Sequence, residues 1–363
     1  MKTFLQDIEK NQRNEKQNMK NMKIGSKIIG DDKPAYIIAE IGGNFSTFEH
    51  GKKLINSAIS SGADAVKIQT YKAENYVSKF ATFNMPGVGG RKNQLKIIKK
   101  MELDFDIQKK LYKYCKKKEI TIFSTPSHIS DIKFLEQIGN QIYKIGSDDL
   151  TNLPLIKEVG KLQKLTIIST GMSTLKDVRA AAKSFYSTGN KKLILLHCVS
   201  MYPFEPKYAN LKVIQTMKTA FKIPIGWSDH SIGTEICISA SALGANVIEK
   251  HFTLDKSEKG PDNILSANPN DLLSMVNTIR VMEQSKGNGI KTPAKCELGN
   301  VRDVRKSIVA ATKISKGAII TKDMLEVKRP GNGITPGQLN KIIGMKSNRV
   351  IDFDKPIKWE FLK

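Results

Sequence analysis

From residue 36 onward the chain alternates between two kinds of segment. Short runs rich in β-branched and apolar residues recur: YIIAEIG (36–42), DAVKIQT (64–70), ITIFSTP (120–126), IYKIGS (142–147), LTIISTG (165–171), KLILLHC (192–198), PIGWSDH (224–230) and NVIEKHFT (246–253). Amphipathic segments such as HGKKLINSAISSG, SDIKFLEQIG, LKDVRAAAKSFYSTG and TEICISASALG lie between them. The runs have the length of strands buried on both faces, and the intervening segments repeat with the period of a helix. Strands alternating with helices predict a parallel sheet, and eight such units in about 250 residues predict a closed (β/α)8 barrel. An open doubly wound sheet would carry a glycine-rich phosphate turn after its first strand, and AEIGGNF is not GxGxxG.

The pattern changes near the C-terminus. Residues 285–304 are rich in Gly, Lys and turn formers and predict a linker. Beyond it SIVAATKI, AIITKDMLEV, IIGMKSNRV and IDFDKPIKW are short β-like runs between SKG, RPGNG and TPG, a small β-rich module over 305–363. The expected division is therefore a leader and β-hairpin over 1–33, a barrel over 34–284, the linker, and the module. The first residues are polar, with no apolar signal core, and Met19 and Met22 are alternative starts.

Active sites of barrels form at the C-terminal ends of the strands, and here those ends are polar. Glu40 ends the first; Lys67, Gln69 and Thr70 the second; Ser124 and Thr125 the third. Lys144 and Ser147 end the fourth, before Asp148 and Asp149; His197 ends the sixth, before Ser200 and Tyr202. Ser228 and His230 end the seventh, and Glu249 and His251 the eighth. Successive strand side chains point to opposite faces, so Lys67 shares a face with Gln69, Ser228 with His230, and Glu249 with His251. The same alternation turns Asp229 away from its neighbours, so Ser228, Asp229 and His230 in GWSDHS do not form a hydrolase triad. No GxSxG elbow occurs elsewhere.

His230 and His251 end neighbouring strands and can converge on one cation. Two imidazoles with few carboxylates suit a divalent ion such as Mn²⁺, Co²⁺, Zn²⁺ or Fe²⁺; a pair of hydrogen-bonded core histidines is the alternative. His50 reads as a surface residue, His128 as a loop residue of undecided role, and His197 as packed or hydrogen-bonded. Lys67, Lys144, Thr125, Ser147 and Ser228 supply cations and hydroxyls for a small phosphorylated anion. With the carboxylates Glu40, Asp149 and Asp262, they point to phosphoryl or enolpyruvyl chemistry on a polar metabolite.

Composition narrows this further. The formal charge is +24, but only eight of 59 basic residues are Arg, so it reads as a lysine-rich solvated surface rather than a nucleic-acid face. The four cysteines, Cys115, Cys198, Cys237 and Cys296, form no CxxC pair and fit free thiols in a reducing cytoplasm. No apolar run approaches the roughly 18 residues of a membrane span.

Ten motifs in order carry a resemblance: AEIGGN (39–44), KIQT (67–70), STP (124–126), YKIGSDDLTNLPLI (143–156), STGM (169–172), LLHCVSMYP (195–203), WSDH (227–230), EKHFT (249–253), GPD (260–262) and KRPGNG (328–333). From about Ile24 to its end the chain resembles the N-acetylneuraminate (sialic acid) synthases, transferases in which a barrel is followed by an antifreeze-like (SAF) domain. The resemblance implies condensation of phosphoenolpyruvate with an N-acyl amino sugar such as N-acetylmannosamine, giving a nine-carbon acid and phosphate. It implies a divalent metal, Mn²⁺ ahead of Mg²⁺ or Co²⁺, held by His230 and His251 and polarising the sugar aldehyde. Lys67, Thr125, Lys144, Ser147 and Ser228 match the phosphoenolpyruvate site, and Ser200 falls where an Asn is common. Glu40, Gln69, Asp149, Tyr202 and Asp262 match positions near the sugar or the attacking water. Arg329 matches an arginine that the antifreeze-like domain of one subunit sends into its partner's barrel, which implies a domain-swapped homodimer. Phe45, Asp148 and Ser127 depart from the family pattern at the substrate end, which leaves legionaminate and pseudaminate synthases as alternatives. A synthase of shorter deoxy sugar acids and a non-catalytic anion- or carbohydrate-binding protein are the further readings.

Overall fold

The computed structural model describes residues 20–84, 91–258, 260 and 262–363; the first nineteen residues of the expected leader lie outside this set. The chain divides between Lys286 and Gly287 into two compact units. The first begins with an antiparallel hairpin of β1 (Met22–Ile24) and β2 (Lys27–Ile29). Eight parallel strands follow: β3 (Tyr36–Glu40), β4 (Ala65–Thr70), β7 (Thr121–Pro126), β8 (Ile142–Ile145), β9 (Leu165–Ser169), β10 (Leu193–Cys198), β11 (Ile225–Asp229) and β12 (Val247–His251). They pair in that order and β12 closes onto β3. A small antiparallel pair, β5 (Thr82–Asn84) and β6 (Arg91–Asn93), interrupts the series between β4 and β7. The predicted strands are all present, and the barrel is closed.

Two apolar layers explain the closure. Ile37, Val66, Ile68, Tyr143, Ile145, Ile168, Leu195, Trp227 and Ile248 face outward and pack against the surrounding helices. Tyr36, Ile38, Ala65, Phe123, Ile142, Ile167, Ile194, Leu196 and Val247 fill the interior, joined by Met22, Ile24 and Ile29 of the hairpin. Each inward series then turns polar toward the strand's C-terminal end: Ile38 to Glu40, Ala65 to Lys67, Ile142 to Lys144, Val247 to Glu249. The barrel is thus a filled core below and a polar floor above. Gly226 occupies the inward position before Ser228, where a Cβ would lie 2.5 Å from both Leu196 and the Val247 carbonyl. Only glycine lets these strands approach so closely.

Local signals set the helix starts. Thr174 and Asp177 form a capping box for Leu175–Tyr186, as do Asn268 and Asp271 for Pro269–Ser285, where the proline adds a favourable first residue. His128 serves the same end: its ring accepts the Ser130 amide and caps Ile129–Gln137.

In the second unit β13 (Ser307–Ala310) pairs antiparallel with β14 (Leu325–Lys328), and isolated bridges such as Ile314 with Ile351 and Ile319 with Lys346 replace further strands. Ile308, Ile314, Ile320, Ile334, Ile342, Ile351, Ile357 and Phe361 form its core. The expected linker is not structureless. Leu298–Asp303 is a short helix inside it, tied to the second unit by the Gly331 amide, which donates to the Arg302 carbonyl at 2.7 Å. A six-residue helix containing glycine has little intrinsic stability, so this tertiary contact, and not propensity, decides it.

Candidate active site

The polar floor is built from strand ends held in register. Glu40 lies opposite Lys67 across β3 and β4, Gln69 opposite Thr125 across β4 and β7, Ser228 opposite Glu249 across β11 and β12, and His251 opposite Glu40 where the barrel closes. Lys67 forms an ion pair with Glu40 and lies 3.7 Å from Glu249 and 3.5 Å from the Thr125 hydroxyl. Lys144 donates to Glu249 at 3.1 Å, and Ser228 donates to the same oxygen at 2.9 Å. Two lysines and two carboxylates therefore form one buried, formally neutral group. Burial opposes every charge in it, yet the balance differs by site. For Glu249 the two lysines outweigh burial and hold the carboxyl at about 2. For Glu40 burial wins, helped by Glu249, and its pKa is raised. Lys67, with two carboxylate neighbours, is raised despite its burial, whereas Lys144 is lowered by burial.

Across the floor the two histidine rings have centroids 5.5 Å apart. His230 Nδ1 donates to the Val199 carbonyl at 2.8 Å, which leaves Nε2 for a ligand. His251 Nδ1 is buried without a hydrogen bond, 3.6 Å from an Asp262 oxygen. Burial lowers both, His230 to about 4, so both are neutral imidazoles at pH 7, the form that binds metals. Tyr202 lies against His230 with centroids 4.0 Å apart and the rings tilted by 32°, and stands edge-on to His251. Among the described residues no cluster of three His, Cys, Asp or Glu side chains could hold a metal alone. The donor set still fits one: two neutral imidazoles, one with an orphaned buried nitrogen, leave the remaining positions to substrate and water oxygens.

A second cradle lies beyond Lys144. The Gly171 amide donates to the Ser147 hydroxyl at 3.0 Å, and that hydroxyl meets Cys198 Sγ at 3.0 Å. A Cβ on Gly171 would lie 2.2 Å from Ser200 Oγ, 2.9 Å from Cys198 Sγ and 3.0 Å from Ser147 Oγ, so only glycine keeps these groups together. Ser200 Oγ, Asp149 Oδ2 and Glu249 Oε2 are buried without hydrogen-bond partners. Burying such atoms costs free energy unless a ligand satisfies them. Burial raises Asp149 to about 6 and Asp262 to about 7.

Thirteen of the fourteen candidates, all but Arg329, lie on the strands of the first unit or in the loops that follow them. Arg329 lies in the second unit, exposed, just after β14. One expectation changes. Phe45 does not face the floor: it is 8% exposed and packs on Gly51 and Leu111 in the outer core. It can influence an acceptor only through the loop that carries it. Asp148, which departs from the family pattern as expected, is exposed and accepts a 2.5 Å hydrogen bond from Tyr76, a residue that no motif singles out. Glu249 also gains importance. Its inward direction was legible, but only the structure joins it to Lys67, Lys144 and Ser228 at once. His197 is packed as expected, bonding the Ala209 carbonyl and standing edge-on to Trp227.

Comparison with known proteins identifies the family. The sequence model of the NeuB family matches residues 54–291, and that of the SAF domain matches 305–363. The N,N'-diacetyllegionaminic acid synthase of Campylobacter jejuni is 40% identical over 332 residues, covering 90% of this chain and 99% of its own. Human N-acetylneuraminate-9-phosphate synthase is 33% identical, covering 92% of this chain and 94% of its own. The crystal structure of N-acetylneuraminic acid (sialic acid) synthetase from Leptospira borgpetersenii, in complex with citrate, superposes with a TM-score of 0.70 at 31% identity, over 78% of this chain and 95% of the other. The barrel and its floor thus define an enzyme, a transferase of the sialic acid synthase type. The chain belongs to the NeuB family and carries a SAF domain at its C-terminus. Enzymes of this family are in general metal-dependent. Among the described residues no helix is long and apolar enough to cross a membrane.

Proposed function

We propose that this enzyme condenses phosphoenolpyruvate with an N-acyl amino sugar and water, releasing phosphate and a nonulosonic acid. The observation that carries this reading is the pair of neutral imidazoles beside a buried two-lysine floor at the C-terminal end of the barrel. Lys67, Lys144, Thr125, Ser147, Ser200 and Ser228 hold the phosphate and carboxylate of phosphoenolpyruvate. His230 and His251 hold a divalent metal, Mn²⁺ first, which when bound polarises the acceptor aldehyde as a Lewis acid. Glu40, Gln69, Asp149, Tyr202 and Asp262 position the sugar and the water that adds to C2 before C–O cleavage.

Two acceptor classes fit about equally. One is N-acetylmannosamine, in line with the 33% identity to an N-acetylneuraminate-9-phosphate synthase; the other is a 2,4-diacetamido-trideoxyhexose, in line with the 40% identity to a diacetyllegionaminic acid synthase. Phosphate release with Mn²⁺, phosphoenolpyruvate and N-acetylmannosamine, a diacetamido-trideoxymannose or a diacetamido-trideoxyaltrose separates them. Turnover with one acceptor is expected to exceed that with the others at least tenfold; release with none would overturn the reading.

Asp149 carries a pH expectation. Its carboxyl ionises near 6, so its base form is lost as pH falls through that value. A fall in kcat/KM below pH 6 is expected, and Asp149→Asn should be slow and lack that limb. A variant with wild-type rate and profile removes Asp149 from the reaction.

The domain boundaries at 33/34, 284/285 and 304/305, the domain-swapped homodimer with Arg329 reaching its partner's N-acyl group, and a cytoplasmic location belong to the same proposal. Exposed Met172, Met201, Tyr208, Ile232 and Ile264, all in the segments that follow strand ends, support a covering subunit at the barrel mouth. The free cysteines, three of them buried, support a reducing compartment.

A further inference from the structure

The outward face of β11 and β12 holds a buried ion pair that takes no part in the floor. Asp229 and Lys250 are register partners across the two strands, 0% and 1% exposed, and their side chains meet at 2.5 Å. Asp229 also accepts the Trp227 indole N–H at 2.9 Å, and both of its oxygens accept the Ser231 hydroxyl at 2.9 Å. Lys250 donates in addition to the Ser231 carbonyl at 2.5 Å. The network therefore grips the chain on both sides of His230, at Asp229 and Ser231. It also fixes Lys250, whose neighbour is His251.

Placing a charged pair there is not required for folding. Desolvation of two buried ions takes back most of what their attraction contributes, and well-packed apolar residues of similar size are often as stable. The pair does what an apolar substitute cannot: it sets the relative position of two strand ends through directional hydrogen bonds from three donor groups, Trp227, Ser231 and Lys250. We propose that Asp229 and Lys250, with Trp227 and Ser231, are positioning residues that hold His230 and His251 at the separation a divalent metal needs. This rests on the assignment of the two histidines as metal ligands. Groups behind metal-ligating histidines commonly change metal affinity about 10- to 100-fold when removed.

The test is Mn²⁺ titration of the metal-stripped full-length protein, read by the EPR signal of free aquo Mn²⁺, with Tm measured beside it. Asp229→Leu combined with Lys250→Met is expected to fold and to bind Mn²⁺ at least about tenfold more weakly than wild type. Wild-type affinity in the folded double variant overturns the proposal. Should it fail to fold, Ser231→Ala and Trp227→Phe each remove donors to Asp229 and leave the ion pair. Weaker Mn²⁺ binding at unchanged Tm in either supports the clamp, and wild-type affinity in both overturns it. His251→Ala in the same titration separates the two ideas. If it binds Mn²⁺ normally, the ligand assignment is wrong. If it loses Mn²⁺ while the clamp variants keep it, only the clamp is wrong.

Discussion

His251→Ala is expected to abolish Mn²⁺ binding and to reduce phosphate release at least about 1,000-fold in kcat/KM, equivalent to about 4 kcal/mol of lost transition-state stabilisation. Among the described residues the proposed donor set is these two imidazoles, so removing one leaves a single nitrogen. Asp262 lies 3.6 Å from the ring, and ionising its carboxyl, which burial raises to about 7, would offset part of any gain from binding the cation. The cost to folding should be small. His251 Nδ1 has no hydrogen bond to lose, and the ring is a neutral group that burial already disfavours as a cation. A Tm near wild type with turnover lost places the defect in chemistry. A variant that turns over normally without added metal would remove the metal from the mechanism and with it the reading of the site. His230→Ala should behave alike in turnover but lose more stability, since the ring's bond to the Val199 carbonyl, worth about 1 kcal/mol, goes with it.

The elements that were legible in the sequence share a physical reason. A parallel strand buried on both faces must be apolar along its length, so YIIAE and LILLHC announce themselves, and turn residues mark their ends. Alternation then gives direction: Lys67, Glu249, Ser228 and His230 point inward as their spacing requires, and Asp229 points out. Partnership is harder to read. Lys144 meets Glu249 across 105 residues of chain and four strands of the barrel, and no local rule pairs them. Irregular segments hide direction as well as partners. Phe45 follows a strand by several residues, so alternation no longer applies, and it turns into the outer core. Tyr76, at the end of the one-turn helix Ala73–Tyr76, reaches Asp148 across 72 residues of chain. The ion pair of Asp229 and Lys250 stands between these cases. Its outward direction follows from alternation and its pairing only from register. The helix over Leu298–Asp303 was missed because the contact that stabilises it comes from Gly331.

Lys144→Met is expected to produce two separable losses. The first is substrate binding: removing a cation that hydrogen-bonds an anionic oxygen costs about 1.5–3 kcal/mol, so KM for phosphoenolpyruvate should rise roughly 10- to 150-fold. The second is stability. Glu249 is held at about 2 by Lys144 and Lys67, and without Lys144 it keeps only Lys67 at 3.7 Å and the Ser228 hydroxyl. A buried carboxylate left half-paired is destabilising by about 3 kcal/mol, or roughly 5–10 °C in the Tm of the barrel. Adding Glu249→Gln distinguishes the effects. The neutral amide no longer needs a counter-ion, so the double variant should recover most of the lost Tm, yet it has no cation to restore and KM should stay high. Recovery of both would mean that Lys144 serves only Glu249 and that the anion is held elsewhere. Recovery of Tm alone assigns Lys144 to the substrate and Glu249 to keeping that lysine charged and in place, which is how a neutral floor can still bind a highly charged anion.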